Sequence, residues 1–303
     1  MADTIIIRSQ IPDLVSQDFL KIFDDSLKSK PPVFSNIYDV QSSKHKYEKI
    51  SGVTGLPLLA AKDEGAEPGN GSLKQKYDKE YLHTTYALTT RITREAFDDD
   101  LSGQLRKIPM LQAVSARETV ENTAAAVFDR SQNGSYLGPD GKVLCATDHP
   151  RADGGTWSNR PSSNADLGVT VLEAALSAMR RTVDDYGNPM GTMPDMLLLP
   201  PEGEWQAIQL LKNAEKSNTA SRDINAIKTR GLAYLIWDNL TDDDSWYILT
   251  PKQQRQLIFF WREKIGTSVY SAPDNTLDAV HQVRCRFSLG WVDARGIYGS
   301  IGA

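Results

Sequence analysis

The sequence predicts an α+β fold: two compact units, preceded by an arm and a long extended loop. Three observations carry it. Apolar alternation of period two marks half-buried strands at residues 84–92 and 283–291. Apolar residues spaced by threes and fours mark a long helix over 94–130, and helices alternate with short apolar strands from 166 to about 269. A chain of 303 residues, 40% hydrophobic and 24% charged, has the length and composition for cores of that kind.

Residues 12–28, PDLVSQDFLKIFDDSLK, set Val15, Phe19, Ile22, Phe23 and Leu27 at helical spacing, with Pro12 at the start and Pro31-Pro32 as the stop. This is a short amphipathic helix within an arm, residues 1–49. Residues 33–80 carry little periodic apolar pattern, and "AAKDEGAEPGNGSLKQKYDKEY" is rich in glycine and charge, so a long loop or hairpin is expected there. A connection of that length inside a compact chain signals function or ordering against a partner.

Tyr86, Leu88, Thr90 and Ile92 then share one face of a strand. In the long helix, Leu101, Leu105, Ile108, Leu111 and Val114 form the stripe, Asp98-Asp99-Asp100 favours the start, and Pro109 is expected to kink or restart it. "SQNGSYLGPDGKVLCATDHP" holds two glycine turn signals around short strands, consistent with a hairpin.

A helix follows with Thr170 and Glu173 as a capping box, an apolar stripe through Leu172, Ala175, Leu176, Met179 and Val183, and closure at Gly187 and Pro189. Strands are expected at MLLLP (196–200), YLIW, WYIL and LIFFW, with a helix opened by Pro200-Pro201 that carries Trp205, Ile208 and Leu211. In the last strand Val283, Cys285, Phe287, Leu289 and Trp291 face one way.

The chemical candidates are sparse. "KVLCATDHPRADGGTWSN" gathers Cys145, Asp148, His149 and Asp153, and a metal-assisted hydrolase would use Asp148 and His149 as ligands with Asp153 or Cys145 as a third. Adjacent residues point to opposite faces of a strand, and HExxH and HxxEH are absent, so a turn braced by hydrogen bonds to the backbone is favoured. The sequence has no GxSxG, no Walker lysine loop and no GxGxxG opening a helix. Cys145 and Cys285 make no CxxC spacing and are expected as free thiols. The expectation is therefore a protein with no catalytic, cofactor or metal residues.

Formal net charge is −5, which lacks the footprint of a chain that grips nucleic acid by its phosphates. No apolar run approaches the roughly 20 residues of a membrane span. The opening MADTIIIRSQ has too short an apolar segment for a secretory signal, so a cytosol-like location is expected.

The order of these elements, with "GKVLCATDHPRADGGTWSNRPSSNAD" and "NPMGTMPDMLLLPPEGEWQAIQLL", resembles the major capsid proteins of tailed bacteriophages, whose Hong Kong phage-type fold is shared with herpesvirus shells. The turn and following helix are most similar to the Mu-like major head subunit. The resemblance spans roughly residues 45–303. It implies an extended E-loop at 50–83 lying across an adjacent subunit, a peripheral domain at 84–165 and 270–303, an axial domain at 166–269, and an arm that reaches across neighbours. It further implies self-assembly into hexamers and pentamers of an icosahedral head that encloses double-stranded DNA by weak contact, in a virion put together in the host cytoplasm without a membrane. Scaffold, portal and decoration proteins are the implied partners. Lys62, Lys74, Lys76 and Lys79 lie in the loop where some members cross-link, with nothing to single one out. An encapsulin-type nanocompartment shell is the alternative that shares the fold, and a metal-assisted hydrolase centred on Asp148, His149 and Asp153 is the alternative from another class.

Overall fold

The structure, a computed structural model, describes residues 12–303 except 66, 68, 72, 94, 97, 98, 100–102, 214–223 and 272–278. Helix α1 spans Pro12–Lys28, as the spacing predicts. It lies on the chain's own body: Phe23 is buried with Ala113, Ala116 and Val283, and the Phe19 ring meets His281 edge-on at 4.8 Å. The segment expected as loop is more folded than its composition suggests. It holds a one-turn helix α2 (Phe34–Ile37) and strands β1 (Asp39–Ser42), β2 (Tyr47–Val53) and β3 (Gln75–Leu82).

Strand β4 is Thr84–Ile92. The long helix, α3, is Ile108–Asp129, entered through a 3₁₀ turn at Leu105–Lys107. Pro109 stands in its first turn, where the missing N–H has no partner to lose, so it starts the helix rather than kinking it. The buried face is Ala113, Ala116, Val120, Ala124 and Phe128, while Leu111 is exposed. Small residues replace the expected large stripe because the helix is packed closely by α1 and by the sheet. Asp98, Asp100 and Leu101 lie outside the described residues.

Residues 131–148 form turns without strands, and the pairing there is confined to β5 (His149–Pro150) and β6 (Thr156–Trp157). Helix α4 spans Val169–Arg180. Gly168 precedes it in extended conformation and Thr170 lies inside the first turn, so the expected capping box does not form. It ends at Arg180; Gly187, at φ 83°, and Pro189 shape the turn after it. Strand β7 (Met196–Leu199), helices α5 (Glu204–Lys212) and α6 (Ala226–Thr229), and strands β8 (Ala233–Ile236) and β9 (Trp246–Leu249) complete the alternating region. Two long strands, β10 (Leu257–Ser271) and β11 (Ala279–Trp291), and a short β12 (Ile297–Ser300) close the chain.

Two four-stranded sheets result, ordered β1-β10-β11-β4 and β12-β9-β7-β8. LIFFW, read from sequence with the alternating region, begins β10 and pairs with β1 and β11. β12 crosses back to pair with β9. In β11 Val283, Cys285 and Phe287 are buried and Arg284 is exposed, as the alternation requires. One core joins both sheets around α3: Phe128 meets Tyr247 at 5.1 Å and Trp237 at 6.0 Å, and Phe259 stacks on Phe287 at 5.1 Å. A second core lies between β7–β9 and helices α4 and α5. Among the described residues no helix is long and apolar enough to cross a membrane.

Candidate functional site

The stretch with the densest chemistry in sequence is a buried brace. His149 is fully buried; its Nδ1 lies 2.6 Å from Asp140 Oδ2 and its Nε2 lies 3.1 Å from Asn159 Oδ1. Its ring stacks on Trp157 at 4.5 Å, because β5 and β6 pair these two residues directly. Asn159 Oδ1 also accepts from the Ala146 amide at 2.8 Å, and its Nδ2 donates to the Leu144 and Ala294 carbonyls. The expected turn exists, with His149 held by the side chains of Asp140 and Asn159 rather than by bonds to the backbone.

The proposed metal ligands part company. Asp148 points outward to Lys142, whose hydrogen bond holds its carboxyl below the usual range. Asp153 pairs with Arg151 at 3.0 Å and accepts from the Gly155 amide. Cys145 is fully buried, and burial pushes its thiol up to about 12, which removes it as a nucleophile. Among the described residues no group of three or more His, Cys, Asp or Glu side chains could hold a metal ion. The hydrolase alternative therefore has no centre there.

A different feature dominates the surface. β2 and β3 form a two-stranded hairpin, paired from Tyr47–Leu82 to Val53–Gln75, outside both main sheets. Val53 is exposed at the end of the pairing, and the tip beyond it exposes Leu56 and Leu73, with Leu58 at 77% and Leu59 at 99% of full exposure. Exposed leucines on a segment with no core of its own mark a contact surface.

The paired strands of the hairpin are fixed to the body from the tip end to the base. Lys76 Nζ lies 2.8 Å from Asp185 and 3.2 Å from Asp293, and Arg295 reaches the same two carboxylates at 2.7 and 3.0 Å. Burial acts to raise the Asp185 carboxyl, and Arg295 with Lys76 overrides it, leaving it below the ordinary carboxylate range. Gly52 sits at a bulge opposite Lys76, where a Cβ would come within 2.9 Å of the lysine Cβ. Tyr81 lies against Gly290 and donates from its hydroxyl to the Trp291 carbonyl at 2.6 Å. Lys79 donates to the Leu137 carbonyl.

Where the hairpin joins the sheet, His83 is buried between two hydroxyls. Ser43 donates to Glu48 at 2.6 Å, so His83 Nε2 donates to Ser43, and Nδ1 accepts from Ser288, each at 2.9 Å. Burial first, and then Arg286, lowers the affinity of this ring for a second proton. Of the four loop lysines considered from sequence, Lys76 and Lys79 thus serve the hairpin's own attachment. The Lys76–Asp185–Asp293–Arg295 group has no signal in the sequence, since its members come from three distant segments.

A hairpin carried outside the sheets, a long helix against the first sheet and a second α/β unit define a shell-forming class, the Hong Kong phage-type capsid fold. Solved structures with that shape include one from Microbacterium phage Oxtober96, with a TM-score of 0.59, 9% identity, and coverage of 91% of this chain and 92% of that one. A capsid of bacteriophage JBD30 decorated with minor capsid protein trimers is similar at TM-score 0.55 and 17% identity, over 78% of this chain and 100% of that one. A virus-like particle from Pyrococcus furiosus is similar at TM-score 0.54 and 9% identity, over 94% and 98%. No curated protein sequence matches significantly. The model of the phage capsid protein family matches residues 76–300. The chain belongs to that family: it is a structural major capsid protein of the virion and not an enzyme.

Proposed function

We propose that copies of this chain assemble into the hexamers and pentamers of an icosahedral head around double-stranded DNA, in the host cytoplasm. The observation that carries this reading is the projecting hairpin: its paired strands are held by buried ion pairs, while its leucine-bearing tip offers apolar surface. Laid on the next copy, such a tip makes a heterologous contact, and heterologous contacts generate rings when the rotation closes. A net charge of −5 suits a container that must surround DNA without adhering to it.

In this reading residues 1–49 are the arm, 50–83 the E-loop, 84–165 with 270–303 the peripheral domain and 166–269 the axial domain. The sheet pairing supports moving β10 to the peripheral domain and β12 to the axial one. Scaffold, portal and decoration proteins are further partners. Sedimentation and negative-stain microscopy of the purified protein should give rings, capsomers or shells, and a monomer at every concentration would overturn the proposal.

The likeness to the Pyrococcus furiosus particle favours one second reading, an encapsulin-type shell that holds enzymes. Nuclease-protected DNA inside particles isolated from the host separates the two: its presence selects the phage head.

A further inference from the structure

His83, the residue between β3 and β4, is only 5% exposed and closes a run of polar groups at the root of the hairpin. Ser43, just after β1, donates to Glu48 of β2 at 2.6 Å and accepts from the His45 amide at 3.2 Å. His83 Nε2 donates to the same hydroxyl, and Ser288 of β11 donates to Nδ1, each at 2.9 Å. The run joins the start of β2, the end of β3 and the first sheet. Glu48 is the anion that favours a positive ring here; Arg286 of β11 and Arg262 of β10 disfavour it. Glu263, opposite Arg286 in β10, is engaged by Arg284 at 3.3 Å, and Tyr81 of β3 is turned to the Trp291 carbonyl. The turn between β1 and β2 adds Lys44, His45 and Lys46, all exposed. The far end of the pairing is held differently, by Lys76 and Arg295 on Asp185 and Asp293.

We propose that His83 is an acid-released clasp, which frees the hairpin root from the first sheet while the far end stays anchored. A proton from solvent adds to Nδ1, the ring nitrogen that accepts from Ser288. Ser288 must then give up that bond, and the ring becomes a buried cation near Arg286 and Arg262. Burial first, and then Arg286, opposes the charge more than Glu48 favours it, so the closed root holds the proton more weakly than an exposed imidazole, whose ordinary value is 6.5. Release exposes the ring and restores that ordinary affinity. Between 6.5 and the lower value of the closed root the released form carries the extra proton, so falling pH favours release and rising pH favours the clasp. Against the pull of burial, Arg295 and Lys76 hold the Asp185 carboxyl below the ordinary carboxylate range, so the far anchor keeps its charges through the same interval. The device belongs to the single chain and does not depend on shell assembly.

The test is hydrogen–deuterium exchange of the full chain from about pH 7.5 to about pH 5, above the titration of ordinary carboxylates and corrected for intrinsic exchange. Wild-type protection in Ser43–Glu48 and Tyr81–Thr85 should be level well above 6.5 and fall below it by up to about tenfold per pH unit, as uptake of one proton requires. Gln75–Lys79 and Trp246–Leu249 should stay level. His83→Gln offers an amide N–H to Ser43 and a carbonyl to Ser288 without titrating, so its root should stay protected throughout. That comparison also separates this ring from His281, which lies against Phe19. Arg286→Gln removes an opposing cation, strengthens proton binding in the closed root and should make the total loss of protection smaller. Root protection that stays flat in the wild type, a fall shared equally by Trp246–Leu249, or a His83→Gln chain that keeps the wild-type fall overturns the proposal. Should His83→Gln fail to fold, an Arg286→Gln chain with an undiminished loss overturns it.

Discussion

Asn159 makes four hydrogen bonds in a buried site, accepting from Ala146 and His149 and donating to Leu144 and Ala294. Its removal orphans the Ala146 amide and the Leu144 carbonyl and leaves one nitrogen of His149 unpartnered. We expect Asn159→Ala to destabilise the chain by about 2–4 kcal/mol, read from the urea midpoint, since each buried group left unpaired costs about 1–3 kcal/mol and partial relaxation recovers some of it. His281 supplies a pH test. Burial beside Phe19 lowers its proton affinity below the ordinary value of 6.5, so it is neutral in the folded chain and takes up its proton more readily in the unfolded one. Its contribution is fully present above 6.5 and is lost as pH falls below that value. Wild type should therefore lose stability relative to His281→Phe on acidification, and a difference that stays constant with pH would contradict this. At this scale the sequence was a poor guide. Cys145, Asp148, His149 and Asp153 are neighbours along the chain but face four surroundings, and the partners that decide their roles, Asp140, Asn159, Lys142 and Arg151, could not be picked out by spacing.

Among elements, the hairpin shows how attachment and exposure are divided. Lys76→Met removes the one hairpin cation that meets Asp185 and Asp293. Breaking a buried pair costs about 3–5 kcal/mol, and the loss here should fall at or below the lower end because Arg295 still neutralises both carboxylates. Exchange in Tyr47–Val53 and Gln75–Leu82 should rise while that of β7 and β9 stays unchanged. Gly290→Ala places a Cβ 2.6 Å from the Tyr81 ring, and the displaced tyrosine should loosen the same two strands at a cost of about 1–3 kcal/mol. Periodicity located α1, β4, β7, β9 and β11 because each buries one stripe or a whole short run. It missed β1 and β12, four-residue strands whose pairing is supplied by distant β10 and β9, and it misplaced the start of α3 because that helix buries alanines rather than leucines.

For the whole molecule, the two most exposed leucines among the described residues, Leu58 and Leu59, lie side by side in the hairpin tip. Leu58→Asp with Leu59→Asp should leave the unfolding midpoint within about 0.5 kcal/mol of wild type, as surface changes do, yet abolish particles in sedimentation. Particles that form normally would show that the tip is not the contact. The family was legible because it resides in the order of elements over most of the chain, which survives where identity to solved structures is 9–17%. The hairpin's attachment was not legible, since ion pairs between remote segments leave no local pattern. One further consequence follows from β12. The sheet opened at Met196 gains its outer strand only at Ile297–Ser300, after the chain has left to build β10 and β11. A ribosome that stalls before those residues releases a product with the amides and carbonyls of Trp246–Leu249 bare along one side, so truncated synthesis yields aggregation-prone material for proteases instead of defective tiles that could poison a growing lattice.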